Sequence, residues 1–499
     1  MPVGLAAAID ARLGAWTIRS RSAFSFLGDP FLGTAVSLSA DGTTALVGAP
    51  GVGGDKGAAY IFHASDAGSW SSSAIPTATL TKRHAIVRPE FGRTVALSAD
   101  GTTAFVGAPI DPDFSGPGAI YVFHVPAEDA WSSSSTPTAT LTVRNSAFLG
   151  SALALSTDGT TLLDGAPLDK TVGAAYVFHV SSESAWASTS TPTATLTLND
   201  VTAEYVGASV AISGDGTTAL ITDFANGGGA AVYHVSDASA WTSTSTPTAI
   251  LTDANDVGGD SLGLFGLALS GDGTVALLGA PDVKSSAGAV DVFHASGEAA
   301  WATTGTPTAT LTVAGGAAHD FLGGGLAVST DGTTALLTAP GAHAQRGAAY
   351  IFRASSGGSW ASSSTPTATL TNSVGHLGDF LGLAAVLTPD GTTALVGAPG
   401  VRSSTGAADI FHVSDASSWA TSSTPKAPLT NDALAACVVP KLRGLKLGAA
   451  EHALSVGRCR LGKVMRVYPP VRRGVVVSQS RKPGRRLAIA AKVNVKIGK

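Results

Sequence analysis

Apolar and polar positions in this chain alternate in short bursts of five or six residues. In the first clear stretch the bursts are Thr34 to Ser39, Thr44 to Gly48, Ala58 to His63 and Thr77 to Thr81. Each is too short for a helix and rich in β-branched or aromatic residues, so each predicts a strand. The first two are joined by Asp41-Gly42. That dipeptide predicts a type I′ hairpin turn, with positive φ at both central residues. A glycine-rich loop follows the second strand, and a Ser-rich linker carrying Trp70 separates the third from the fourth. No apolar run approaches the roughly 18 residues that a membrane-spanning helix needs.

The pattern recurs. Asp-Gly-Thr-Thr begins at Asp41, Asp100, Asp158, Asp215, Asp331 and Asp390, with Asp272-Gly273-Thr274-Val275 as the variant. The spacings are 59, 58, 57, 57, 59 and 59 residues. One tryptophan keeps the same phase: Trp70, Trp131, Trp186, Trp241, Trp301, Trp360 and Trp419. Seven units of four short antiparallel strands predict an all-β fold, a seven-bladed β-propeller over residues 29–434. A β-solenoid is the rival, but its rungs are usually shorter. Within residues 1–28, Trp16 to Gly28 resembles Thr140 to Gly150, a fourth strand with its exit. It predicts either a clasp strand protecting the edge of the last blade or the remnant of a truncated blade.

The repeats carry a recognisable pair of signatures. A Phe-Gly element stands at Phe31-Leu32-Gly33, Phe91-Gly92, Phe148-Leu149-Gly150, Phe321-Leu322-Gly323 and Phe380-Leu381-Gly382, with Tyr205-Val206-Gly207 close to it. A Gly-Ala-Pro element stands at Gly48, Gly107, Gly165, Gly279 and Gly397. Thr338-Ala339-Pro340 nearly matches it, and Thr222-Asp223-Phe224 has lost it. The unit thus resembles the FG-GAP repeat of integrin α-chain propellers and of many bacterial surface proteins. The resemblance implies adhesion and ligand recognition rather than one fixed chemistry. Family members that bind calcium do so with several aspartates in the first hairpin. Here Ser39-Ala40-Asp41-Gly42 offers one carboxylate, too few for a six- to eight-oxygen site. The turn aspartates are therefore read as structural, with no calcium and no other cofactor.

Composition sharpens the boundary after residue 434. The chain has 499 residues and a formal net charge of −4. Residues 435–499 hold 16 Lys and Arg against Glu451 alone, a net of +15, and residues 1–434 carry −19. Ala449, Ala450, Ala453 and Leu454 have helical spacing, and Val464 to Val467, Val475 to Ser478 and Lys492 to Val495 read as strands. This small α+β segment resembles a PASTA domain through Val439-Pro440-Lys441-Leu442-Arg443-Gly444, Ala450, Leu454, Leu461 to Val464, Gly474 to Gln479 and Pro483-Gly484. The resemblance implies a bacterial cell-wall module that recognises peptidoglycan fragments. Wall-binding candidates are Lys441, Arg443, Arg472, Arg473, Arg481 and Lys482. Both cysteines, Cys437 and Cys459, lie here. Their pairing predicts a disulfide that closes a 23-residue loop, in an oxidising, extracytoplasmic setting. Two buried free thiols are the alternative.

Candidate chemistry is sparse. Six units end their third strand in histidine, at His63, His124, His179, His234, His294 and His412, with Arg353 in the sixth. Separate blades keep these apart, so they read as a repeat consensus rather than a zinc site. Glu90, Glu204, Asp260, Asp320 and Asp379 precede the Phe-Gly position or its equivalent. They read either as a carboxylate cluster at the channel mouth, attractive to a cation or basic ligand, or as acceptors within their own turns. Lys82, Arg83 and Arg88 form a basic loop on the same variable face. No nucleophile elbow, His-Glu-x-x-His or phosphate-cradling loop occurs. His319 with Asp320, and His376 with Asp379, are the best catalytic candidates. The expected function is non-catalytic recognition or adhesion by a secreted or surface-associated bacterial protein. Its propeller would take a protein or glycan ligand, and its tail peptidoglycan or another anionic wall polymer, with no nucleic acid. An extracellular glycan hydrolase or lyase with a wall-binding tail, and a purely structural envelope protein, are the alternatives. Met1 to Ile9 has no basic residue and so no recognisable signal peptide, so either the true start lies upstream of Met1, which is the expectation, or another export route is used.

Overall fold

The computed structural model describes residues 29–498 apart from 83–88, 110–117, 145, 147, 170–171, 200–204, 225–227, 256–259, 435, 457–458, 468–472 and 489–490. The N-terminal clasp expectation lies outside the described residues. Contacts divide the chain into two compact units. One comprises Phe31–Pro50 and Gly57–Asn431, and the other holds Asp432–Lys499.

The larger unit contains seven four-stranded sheets, each an antiparallel meander built from one contiguous stretch of chain. In the first sheet the strands are A (Val36–Leu38), B (Thr44–Ala49), C (Ala58–His63) and D (Ala78–Leu80). The inner strands touch around a full circle, because strand A of the first sheet packs beside strand A of the seventh, Ala385–Leu387. The fold is a β-propeller. Its hydrophobic core is distributed between neighbouring sheets. Tyr350 and Phe352 of the sixth sheet, for example, pack with Leu277, Val290 and Val292 of the fifth.

Two backbone seams join every pair of neighbours that is fully described. At the inner seam Phe321 and Leu322 donate their amides to Ser286 and Ala287 of the preceding sheet, and Phe31 and Leu32 donate to Ser404 and Thr405. At the outer seam the last Leu of each strand D bridges the linker of the following sheet: Leu80 with Ser134, Leu311 with Ser363, Leu429 with Ser73. The seventh sheet is thus stitched to the first by the same bonds as the others.

The two sequence signatures meet at the inner seam. The first residue of the Phe-x-Gly segment has left-handed φ in all seven copies: Phe31, Glu90, Phe148, Tyr205, Ser261, Phe321 and Phe380. Glu90 therefore occupies the Phe position itself, and Phe91 the Leu position. This corrects the expectation that Glu90 precedes the segment. The glycine that ends the segment lays its carbonyl against the Gly-Ala-Pro glycine. A Cβ at Gly48, Gly165, Gly279 or Gly397 would stand 1.9–2.1 Å from the carbonyl oxygen of Gly92, Gly207, Gly323 or Gly33. Where the fourth sheet has Thr222 instead, its hydroxyl donates to the Gly263 carbonyl at 2.9 Å. A hydrogen bond to that carbonyl takes the place of the glycine's close contact with it.

The A–B turn differs from the expected type I′. Gly42 has φ 72, but Asp41 is not among the positive-φ residues. The Gly42 amide donates to Ser39 O, and Ser39 N to Thr44 O, giving a four-residue loop. Asp41 is held by Ser39 Oγ at 2.6 Å and Thr43 N at 3.0 Å, bonds that need the aspartate in an ordinary conformation. Partial burial opposes ionisation there, but the bonds from Ser39 and Thr43 outweigh it and hold the Asp41 carboxyl below its ordinary value. Asp100, Asp215 and Asp331 behave alike.

In the smaller unit the helix Leu447–Val456 packs on a three-stranded sheet ordered Arg460–Val467, Lys492–Gly498, Val476–Gln479, with the first pair parallel. The short pair Ala436–Val438 and Arg486–Ala488 runs antiparallel. Val439, Leu442, Ala450, Leu454, Cys459, Val476, Val493 and Val495 form its core. The helix and the three longer strands follow the hydrophobic pattern. The short pair lacks enough residues to show a period.

Candidate functional site

The connectivity places the A–B turns and C–D linkers at one end of the sheets, and the B–C loops and D–A crossings at the other. At the first end, groups with chemical potential are consumed by the scaffold. Every repeat tryptophan donates its indole N–H to the carbonyl of its own turn glycine at 2.7–2.9 Å. Five of the strand-end histidines hydrogen-bond through Nδ1 to the Thr that opens strand B: His63 with Thr44, His124 with Thr103, His179 with Thr161, His234 with Thr218 and His412 with Thr393. In the sixth sheet Arg353 donates to Thr334. In the fifth, Val275 faces His294 across the strands, so that bond is absent.

At the other end the sheets diverge. The informative position lies three residues before each strand-end histidine, or Arg353 in the sixth sheet: Tyr60, Tyr121, Tyr176, Ala231, Asp291, Tyr350 and Asp409. Cross-strand register confirms the equivalence, since each faces the same strand B position. In the sheets where the core is described, this side chain points into the cleft shared with the preceding sheet. Tyr60 meets the Asn431 side chain, and burial pushes its hydroxyl up. Tyr121 lies under the Lys82 ammonium at 5.5 Å. Tyr176 donates to the Asp169 carboxylate.

The consecutive fifth, sixth and seventh sheets put acids or an open tyrosine there. Asp291 is 4% exposed and accepts from Thr310 Oγ1 at 2.8 Å. Burial, with a smaller push from Asp253, takes its carboxyl to about 6 against the pull of Thr310. Asp409 is 1% exposed and accepts from Asn372 Nδ2 at 2.8 Å. Burial, aided by the neighbouring Asp379, takes it to about 6 as well. Tyr350 lines a cleft of about 260 Å³ together with Asp320 and Lys284. Burial, then the Asp320 charge, pushes its hydroxyl up to about 12. Strand B of the third sheet adds a further buried acid, Asp164, which accepts the Gly150 amide at 2.7 Å. In the other sheets the equivalent glycine amide donates to a strand B carbonyl. Burial raises the Asp164 carboxyl well above its ordinary value.

The acids singled out from sequence are dispersed among these clefts. Asp320 accepts Ala317 N at 2.7 Å and Asp379 accepts His376 N at 2.6 Å, each closing its own turn. Asp260 offers its backbone carbonyl to Asp282 N. Glu204, Arg83 and Arg88 lie outside the described residues. His319 stacks beside Phe321, its ring centroid 5.9 Å away. Among the described residues no group of three or more His, Cys, Asp or Glu side chains could hold a metal ion. Asp164, Asp291, Asp409 and Tyr350 were not singled out from sequence. The signal was present: Asp replaces an apolar or aromatic residue at fixed repeat positions. In the smaller unit Lys441, Arg443, Arg473, Arg481 and Lys482 are exposed, and Arg472 lies outside the described residues.

No family model matches the sequence, and no curated protein matches it. Among solved structures the chain is similar to the hydrazine synthase of Kuenenia stuttgartiensis. The TM-score is 0.47 at 13% identity, over 78% of this chain and 96% of that one. A likeness this low says nothing about what the present chain binds. Among the described residues no helix is long and apolar enough to cross a membrane.

Proposed function

We propose that the chain is a non-catalytic recognition protein of a bacterial surface. In this reading the ring is a seven-bladed FG-GAP-type propeller that presents a ligand face, and the tail is a PASTA-type module that binds peptidoglycan or another anionic wall polymer. The reading rests chiefly on the contrast between the two ends of the sheets. One end repeats nearly the same bonds from sheet to sheet, and the other carries sheet-specific polar groups in a repeated frame, as a binding scaffold requires. The exposed cations Lys441, Arg443, Arg473, Arg481 and Lys482 on a net charge of +15 support the polymer-binding role of the tail. We place the protein outside the cytoplasm and pair Cys437 with Cys459. Cys459 is 5% exposed within the tail core, where a cross-link would supplement a thin hydrophobic interior.

Co-sedimentation of the full chain with purified peptidoglycan at physiological salt tests the wall-binding part. The expected result is retention that a fourfold charge reversal (Lys441→Glu, Arg443→Glu, Arg481→Glu, Lys482→Glu) abolishes. No retention, or equal salt-labile retention on any polyanion, would overturn it, because screening removes purely electrostatic attraction.

A further inference from the structure

We propose that the cleft between the fifth and sixth sheets binds a small hydroxylated ring, about one sugar unit in size, through the Tyr350 hydroxyl, the Asp320 carboxylate and the Lys284 ammonium. The inference deepens the recognition reading and rests on it by naming one ligand pocket of the ring.

Tyr350 carries the argument. It is 5% exposed, and among the described residues its hydroxyl has no hydrogen-bond partner. The equivalent Tyr60 meets Asn431, and Tyr176 meets Asp169. The ring is enclosed, but its oxygen is not one of the buried polar atoms left without a partner, so the hydroxyl opens into the cleft rather than being sealed in the protein. At this junction the place of that partner falls to Val313, the residue in step with Asn431 after strand D. Val313 cannot hydrogen-bond through its side chain, and it lines the cleft. The hydroxyl therefore faces about 260 Å³ of open space instead of a protein group.

The lining selects the ligand class. One carboxylate and one ammonium cancel, so neither a simple cation nor a simple anion is favoured. A hydroxyl group both donates and accepts. A ring with several can donate to Asp320 while accepting from Lys284 and Tyr350. Asp320 spends one oxygen on Ala317 N, and among the described residues its other oxygen has no partner. Leu322 and Ala339 supply apolar wall for C–H faces. The volume falls just below the roughly 300 Å³ at which drug-sized pockets begin, which suits a single ring and not a chain buried end to end.

Saturation-transfer NMR on the full chain tests this. The probes are methyl β-glucopyranoside, methyl β-galactopyranoside, methyl α-mannopyranoside and methyl N-acetyl-β-glucosaminide, with glycine, propylamine and acetate as the zwitterion, cation and anion. At least one glycoside should bind at millimolar or lower Kd. Tyr350→Phe should weaken it about tenfold, the size of one lost hydrogen bond, without lowering the melting temperature. Lys284→Gly, at a left-handed position glycine favours, should also weaken it. No glycoside binding at 20 mM, binding of only the charged probes, or binding indifferent to both substitutions would overturn the proposal. Peptidoglycan retention measured on the same preparation separates the two ideas. Retention without glycoside binding removes the cleft alone, and glycoside binding without retention removes the wall-binding tail alone.

Discussion

The two ends of the sheets answer different demands with the same strands. At the A–B end, the turn aspartate with its threonine, the strand-end histidine with the threonine that opens strand B, and the linker tryptophan with the turn glycine pair in nearly the same way around the ring. At the B–C end, the residue three before that histidine is tyrosine in four sheets, aspartate in two and alanine in one. Repetition marks positions whose partners lie within the repeat itself, and divergence marks positions whose partners come from the neighbouring sheet. A side chain at the first end can be changed only at a loss, whereas the divergent position three before the histidine at the second end can be changed without disturbing closure.

Substitution at the inner seam should expose that contrast most strongly. Gly279→Val would drive a side chain into the Gly323 carbonyl, 2.1 Å from the new Cβ. It should cost more than about 4 kcal/mol in urea unfolding, in the range of severe overpacking. Gly279→Thr carries the same Cβ but should cost less, because its hydroxyl can bond the displaced carbonyl as Thr222 does in the fourth sheet. Equal severe losses would show that the Cβ clash dominates and that a hydroxyl does not offset it, and small losses for both would remove the close-approach explanation of the Gly-Ala-Pro signature.

Asp409→Asn should act in the opposite direction. The folded state holds this carboxyl at about 6, above its ordinary value near 3.9. Its contribution is therefore full below about pH 4 and declines as pH rises through 6. The amide removes a buried charge, so stability at pH 8 should rise by on the order of 2 kcal/mol. The slope of stability between pH 4 and 7 should flatten. A variant less stable than the parent at pH 8 would show that the carboxylate is satisfied as an anion.

Matched Phe substitutions compare the ends directly. Trp301→Phe deletes the donor to Gly273 O, a buried 2.9 Å bond. It should cost about 1–2 kcal/mol and spread to no ligand property. Tyr350→Phe should leave thermal stability unchanged. If the second costs as much as the first, Tyr350 has a structural partner and the ends are alike. Smallest of all is the turn acid. Asp41→Asn should lose well under about 1 kcal/mol at neutral pH, since a partly exposed carboxylate is screened. Because its folded value is depressed, the parent keeps that advantage above the ordinary carboxylate range and loses it as pH falls below.

Much of the ring was readable because its period is long and its punctuation regular. Trp70 and Asp41 recur in step, so strand number, order and pairing follow from one unit. The turn type was not readable, because Asp-Gly alone does not distinguish a two-residue loop from one closed by Ser39 and Thr43. Glu90 was misplaced by one residue because Phe91 keeps an aromatic where the other copies have leucine or valine. The buried acids escaped for a different reason. Asp164, Asp291 and Asp409 look like ordinary surface aspartates until the register shows that they replace valine, leucine or tyrosine in a cleft. In the tail, the two-stranded ladder at Ala436–Val438 is held by partners 50 residues away, a distance over which local periodicity carries no signal.

The stitching of Phe31 and Leu32 onto Ser404 and Thr405 makes one junction of the ring interchangeable with any other. A circle with no distinguished gap has no natural first sheet. New termini opened at the exposed Ser359 or Ser418, before the linker tryptophan and away from both seams, would leave every junction with the same bonds, so circularly permuted versions of the ring should close as well as the natural order does. Its stability would then be a property of the cycle rather than of any end, lost cooperatively when any single junction opens.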